Sequence, residues 1–77
     1  MNFSDTFIAC YRDAELVAVV IFRSEEKFTD FIFSFKPPSV WLAQELGLEE
    51  DYFSDCYFDE FNGDLKGICQ ASVFEIY

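Results

Sequence analysis

Glu45, Glu49, Glu50, Asp51, Asp55, Asp59, Glu60 and Asp64 lie between positions 45 and 64, a segment that holds no basic residue. Carboxylates at that density can do three kinds of chemistry. Two held together can act as acid and base. Several converging on a point can hold a divalent cation. Spread over a surface, they accept charge-assisted hydrogen bonds from the Arg and Lys of another molecule.

The first two uses find little support in the rest of the chain. There is no His, so the commonest general base and metal ligand is missing, and Ser–His or Cys–His nucleophile pairs cannot form. No G-x-S-x-G, P-loop or dinucleotide fingerprint occurs; the glycines are Gly47, Gly63 and Gly67. With so many acids, chance carboxylate pairs are expected, and no catalytic residue is assigned. A calcium loop is hinted at by Asp59 to Asp64. Aligning Gly63 with the turn glycine, however, puts Phe58 where the first carboxylate must stand and Cys69 where the closing Glu must stand. No metal or cofactor is expected.

Display of charge is what remains. The formal charge is −10, and residues 45–64 supply −8 of it. Solubility of an aromatic-rich chain explains the total, but not the clustering. Tyr52, Phe53, Tyr57, Phe58 and Phe61 are interleaved with the acids, and a disordered acidic tail lacks such rings. The segment is expected to be a folded element that presents a fixed negative array. Such an array repels nucleic acid and attracts surfaces built to hold it. Direct nucleic-acid binding is not expected, because Arg12, Arg23, Lys27, Lys36 and Lys66 are scattered and outnumbered three to one.

The elements that position this array can be read in order. Residues 1–77 are expected to form one small domain. Residues 3–12 alternate as a strand, and residues 15–23 are apolar on both faces, as in a central strand; the break at Asp13-Ala14 makes the two a hairpin. Ser24 is an N-cap with Glu25 and Glu26 in the first turn, and Phe28, Phe31, Ile32 and Phe35 fall on one helical face before Pro37-Pro38. A second short helix runs from about Ser39 to Leu46, with Gly47 just beyond it.

Residues 49–61 fit either a helix or a strand. The strand reading is preferred, because Asn62-Gly63 is a hairpin signal. In that register Asp59 faces Lys66, Cys56 faces Cys69 and Tyr52 faces Val73, and a final strand runs to about Tyr77. The fold expected is α+β: an antiparallel sheet of three or four strands in the order β-β-α-α-β-β, with two short helices on one face.

On such a strand Asp55 and Asp59 lie on one face, where alternate residues are about 6.7 Å apart, on the scale of the spacing between phosphates. Tyr57 and Phe61 share the polar face and are the aromatic interface candidates. Trp41 fits either the core or a second anchor.

Size, acidity, aromatic content and lack of catalytic residues make the chain resemble the small phage-encoded DNA-mimic inhibitors, anti-CRISPR proteins among them. The array Glu49-Glu50-Asp51, Asp55, Asp59-Glu60 and Asp64 carries the resemblance. It implies a monomer in a host cytosol that blocks the nucleic-acid-binding surface of a CRISPR effector complex such as Cascade. A second reading is an immunity protein or antitoxin that plugs the basic active site of a nuclease, and a third is a plain acidic interaction domain. No secretory leader is expected, since Asp5 stands where one would place Lys or Arg. The longest apolar run, Leu16 to Phe22, is too short to span a bilayer. Three cysteines with no CxxC fit a reducing compartment. With this many aromatic side chains the domain is expected to unfold cooperatively in reductant and in chelator. Loss of the thermal transition in either would show that a disulfide or metal holds it.

Overall fold

β-branched and apolar residues without a polar stripe make the middle of the sheet. The structure, a computed structural model, describes residues 5–61 and 71–77. β1 (Thr6–Arg12) and β2 (Glu15–Phe22) pair antiparallel across a two-residue turn. Both turn residues, Asp13 (φ 55°) and Ala14 (φ 64°), adopt left-handed backbone, as a tight hairpin turn matching the strand twist requires. The register steps from Cys10–Ala18 to Tyr11–Leu16, so Val17 is the extra residue of a bulge.

The expectation for β2 holds. It is a central strand, with Val20 and Phe22 buried on the helix side and Val19 and Ile21 buried on the other. β3 (Tyr57–Glu60) adds antiparallel to β1, and β4 (Ser72–Ile76) adds to the far side of β2. The order among described strands is β3-β1-β2-β4.

The α+β class and the element order are as read from the sequence, but the sheet is mixed rather than antiparallel. β2 and β4 run parallel, with Val20 opposite Phe74 and Phe22 opposite Ile76. A parallel pair needs a long crossover, and the connection from β2 to β4 contains both helices and β3. The pairing of Tyr52 with Val73 does not form. Tyr52 lies in a turn, and Val73 pairs with Val19 across the sheet from β3. The remaining pairs of that register, including Cys56 with Cys69 and Asp59 with Lys66, involve positions outside the described residues.

α1 (Glu25–Ile32) starts as expected: Ser24 Oγ accepts from the Lys27 amide at 3.3 Å. It ends earlier than its apolar spacing suggests. Phe33 caps it, donating its amide to Thr29 O, so only Phe28 and Phe31 of the proposed face reach the core. Ile32 is 52% exposed and Phe35 is fully exposed. Pro37 keeps Lys36 out of helical geometry, so α1 cannot run on into α2. α2 (Pro38–Leu46) begins on Pro38 and buries Leu42 and Ala43. Gly47 (φ 70°) ends it: the Gly47 amide donates to Gln44 O and the Leu48 amide to Ala43 O, the Schellman pattern.

Phe22 gathers both helices onto the sheet. Its ring centroid lies 5.3 Å from Phe28, 5.1 Å from Phe31 and 6.0 Å from Trp41. Trp41 is half-buried and packs at the α1–α2 junction, with Phe31 also 5.3 Å from its ring. No helix among the described residues is long and apolar enough to cross a membrane.

The end of β4 is tied by charge. Glu75 accepts from Arg23 Nε at 3.1 Å and Nη2 at 2.7 Å and from the Tyr77 hydroxyl at 2.7 Å, and Arg23 also pairs with Asp5. The hydrogen bond from Arg23, then that from Tyr77, holds the Glu75 carboxyl below its usual range. A depressed carboxylate stabilises the fold above its unfolded pKa, and this contribution is lost as pH falls through the folded value. Glu75→Gln should therefore flatten the decline in Tm between about pH 5 and pH 3. Parallel acid limbs in wild type and variant would show that the pair adds nothing.

Candidate partner-binding surface

The acidic segment leaves α2 through Leu48, which packs against the core directly after the Gly47 turn. Residues 49–56 are then a run of turns and not the strand expected. The amides of Tyr52, Ser54 and Cys56 donate to the carbonyls of Glu49, Asp51 and Phe53 at 2.9, 3.0 and 3.1 Å. The β3 strand begins only at Tyr57. Asp55 sits in left-handed backbone (φ 62°) before it, so Asp55 and Asp59 do not alternate along one strand and the phosphate-like spacing inferred for them is not realised. The reason lies in Phe53. Its side chain is fully buried, in edge contact with Tyr52 (4.9 Å), Phe58 (6.1 Å) and Phe74 (6.1 Å). Turning the chain lets this ring enter the core while the charges of Glu49, Glu50, Asp51 and Asp55 stay in water.

A second hold comes from a base. Arg12, at the end of β1, donates one guanidinium nitrogen to Tyr52 O at 2.9 Å and Ser54 O at 3.2 Å. The sequence counted Arg12 among scattered cations; the pairing is forty residues distant in the chain, and no local signal announces it. Together, Leu48 and Phe53 inside and Arg12 outside fix the turn run beside β3.

Six of the eight acids are exposed on this element: Glu49, Glu50, Asp51, Asp55, Asp59 and Glu60. Glu45 does not join them. It lies on α2 and pairs with Lys27 of α1 at 2.6 Å, where its hydrogen bond holds the Lys27 ammonium above its ordinary range. Asp64 is outside the described residues. No three His, Cys, Asp or Glu side chains among the described residues converge as a metal-binding set. The carboxylates are spread over a surface, which suits several donors of a partner better than one ion.

The aromatic candidates separate. Tyr57 is 55% exposed and stacks on Tyr11 with centroids 5.3 Å apart and ring planes 19° apart. It lies on β3 two residues before Asp59. Phe61 is half-buried, and its amide donates to Phe7 O at 2.7 Å, which extends the β1–β3 ladder. Among the exposed rings that sequence patterning assigned to the core or passed over are Phe33, 74% exposed, and Phe35, with Tyr52 and Tyr77. For Phe33 and Phe35 the nearby Pro37-Pro38 pair was the available signal.

Thiol chemistry is suppressed at Cys10. Burial, with Cys56 nearby, pushes the Cys10 thiol up to about 12, so it is neutral and unreactive at physiological pH. Comparison with protein-family models, with curated proteins and with solved structures finds no match to this chain.

Phe53→Ala should lower unfolding stability by about 3–5 kcal/mol, the usual cost of emptying a buried Phe site. Arg12→Gln should cost about 1 kcal/mol, since its hydrogen bonds are solvent-exposed. Urea unfolding checks both; an unchanged midpoint for Phe53→Ala would mean the ring does not anchor the segment.

Proposed function

We propose that this chain is a non-enzymatic inhibitor whose acidic turn run and β3 bind a basic nucleic-acid-binding surface of a protein partner in place of nucleic acid. The observation that carries the reading is six exposed carboxylates on an element pinned by Phe53 and Arg12. A fixed array loses little freedom on binding, whereas a flexible acidic tail would have to be ordered at a cost. Lys and Arg that neutralise phosphates in a DNA-binding channel meet carboxylates by the same charge-assisted hydrogen bonds. The compositional resemblance to phage DNA-mimic inhibitors directs the proposal to a CRISPR effector complex such as Cascade, with target-DNA binding as the step that is blocked. The chain acts as a monomer in the host cytosol in this reading, with no cofactor and without touching DNA itself.

The geometry modifies the form of the mimicry. The charges are not a linear row along one strand. They comprise a turn cluster, Glu49-Glu50-Asp51, and a strand pair, Asp59-Glu60, with Asp55 between them in sequence.

The test is inhibition of target-DNA binding by Cascade. Glu49→Gln, Glu50→Gln and Asp51→Asn combined should weaken inhibition by about thirtyfold or more, because losing even one pair with a desolvated Arg costs on the order of 2 kcal/mol. Wild-type inhibition should itself weaken steeply with salt, since the screening length is about 8 Å at about 0.15 M. Glu15→Gln and Asp30→Asn, exposed and outside the array, are the controls; Asp5 is unsuitable because it pairs with Arg23. Full inhibition by the folded triple variant would reduce the acids to a solubilising surface.

A further inference from the structure

A groove of about 410 Å³ opens between β3 and the α1–α2 connection. Ile8, Phe31 and Phe58 give it apolar lining, Ile32 and Pro38 border it from the helices, and Asp59 and Glu60 border it from β3. That volume lies in the range of pockets that bury a bound group. The same connection leaves Ile32, Phe33 and Phe35 in water. Of these, Ile32 also lines the groove, so its apolar wall continues to an exposed side chain.

Charge fixes what the groove can take. Among the described residues no Lys or Arg pairs with Asp59 or Glu60; the Asp59 carboxylate accepts only from the Glu60 amide, at 2.8 Å. Lys36, which also lines the groove, is turned to Gln44, its Nζ donating at 2.6 Å. Among the described residues the β3 side is thus negative, and much of the lining is apolar. We propose that the groove seats one apolar side chain of the protein partner, adjacent to an Arg or Lys that Asp59 and Glu60 receive. This rests on the reading of the acidic surface as a protein-binding face and deepens it. The partner segment is then apolar flanked by basic, not basic alone, and recognition of such a segment separates one basic protein from another where charge cannot.

Three peptides test it by titration into ¹⁵N-labelled protein: acetyl-Arg-Lys-Leu-Arg-Lys-amide, the same with Gly for Leu, and the Leu peptide with Ser for every base. The basic Leu peptide should bind about tenfold tighter than the basic Gly peptide, the gain from covering one Leu side chain, and should shift the amides of Ile8, Phe31 and Phe58. Ile32→Ser, at a half-exposed position that should not unfold the domain, should reduce that preference and leave the Gly peptide unaffected. Equal binding of the two basic peptides would overturn the groove and leave the acidic surface standing. Failure of both would overturn the two readings together. Equal binding of the Ser-containing peptide would overturn the pairing with Asp59 and Glu60.

Discussion

Burial of Phe53 is the constraint on which the charged surface depends. Residues 49–51 are three consecutive acids, with Asp55 four residues further on. Like charges this close in sequence favour an extended, mobile chain. The opposing term is one large ring placed wholly inside, against Phe58 of β3 and Phe74 of β4. Leu48 on one side and the Arg12 guanidinium on the other limit the remaining freedom. The sheet therefore has two aromatic groups on one face. The Phe22 group holds the helices, and the Phe53 group holds the acids.

That division explains which parts could be read from the sequence. The β1–β2 hairpin, the Ser24 cap, the Gly47 stop and the central place of β2 follow from local rules: alternation, a capping hydroxyl, a left-handed glycine, an apolar run. Each of these elements stands where its residues put it. The acidic segment obeys a long-range rule instead. Its aromatics suit a strand, but Phe53 is worth more in the core than in a ladder, and the Arg12 contact that steadies the resulting turns joins residues forty apart. The Asn62-Gly63 signal suggested that the last strand folds back on β3, yet Ser72–Ile76 lies beside β2. Apolar periodicity alone cannot assign a β-strand its neighbour.

The site was legible as composition and not as shape. Six exposed acids are where the charge count placed them, in one stretch of chain. Glu45 looked like part of the same run and instead ties the two helices through Lys27. The apolar side of the surface was hidden for a related reason. Ile32 and Phe35 have helical spacing, but Ile32, the last residue of α1, is half exposed and Phe35 lies beyond the helix end. Acidic and apolar side chains then meet at the β3 border of one groove.

The direct test of a fixed charge array is ¹⁵N relaxation of the backbone at residues 49–56. Turns held by Phe53 and Arg12 should give order parameters near about 0.85, like those of β1 and β2. Values below about 0.6 across the segment would describe a flexible acidic loop, and the surface proposed for the partner would not exist as a shape.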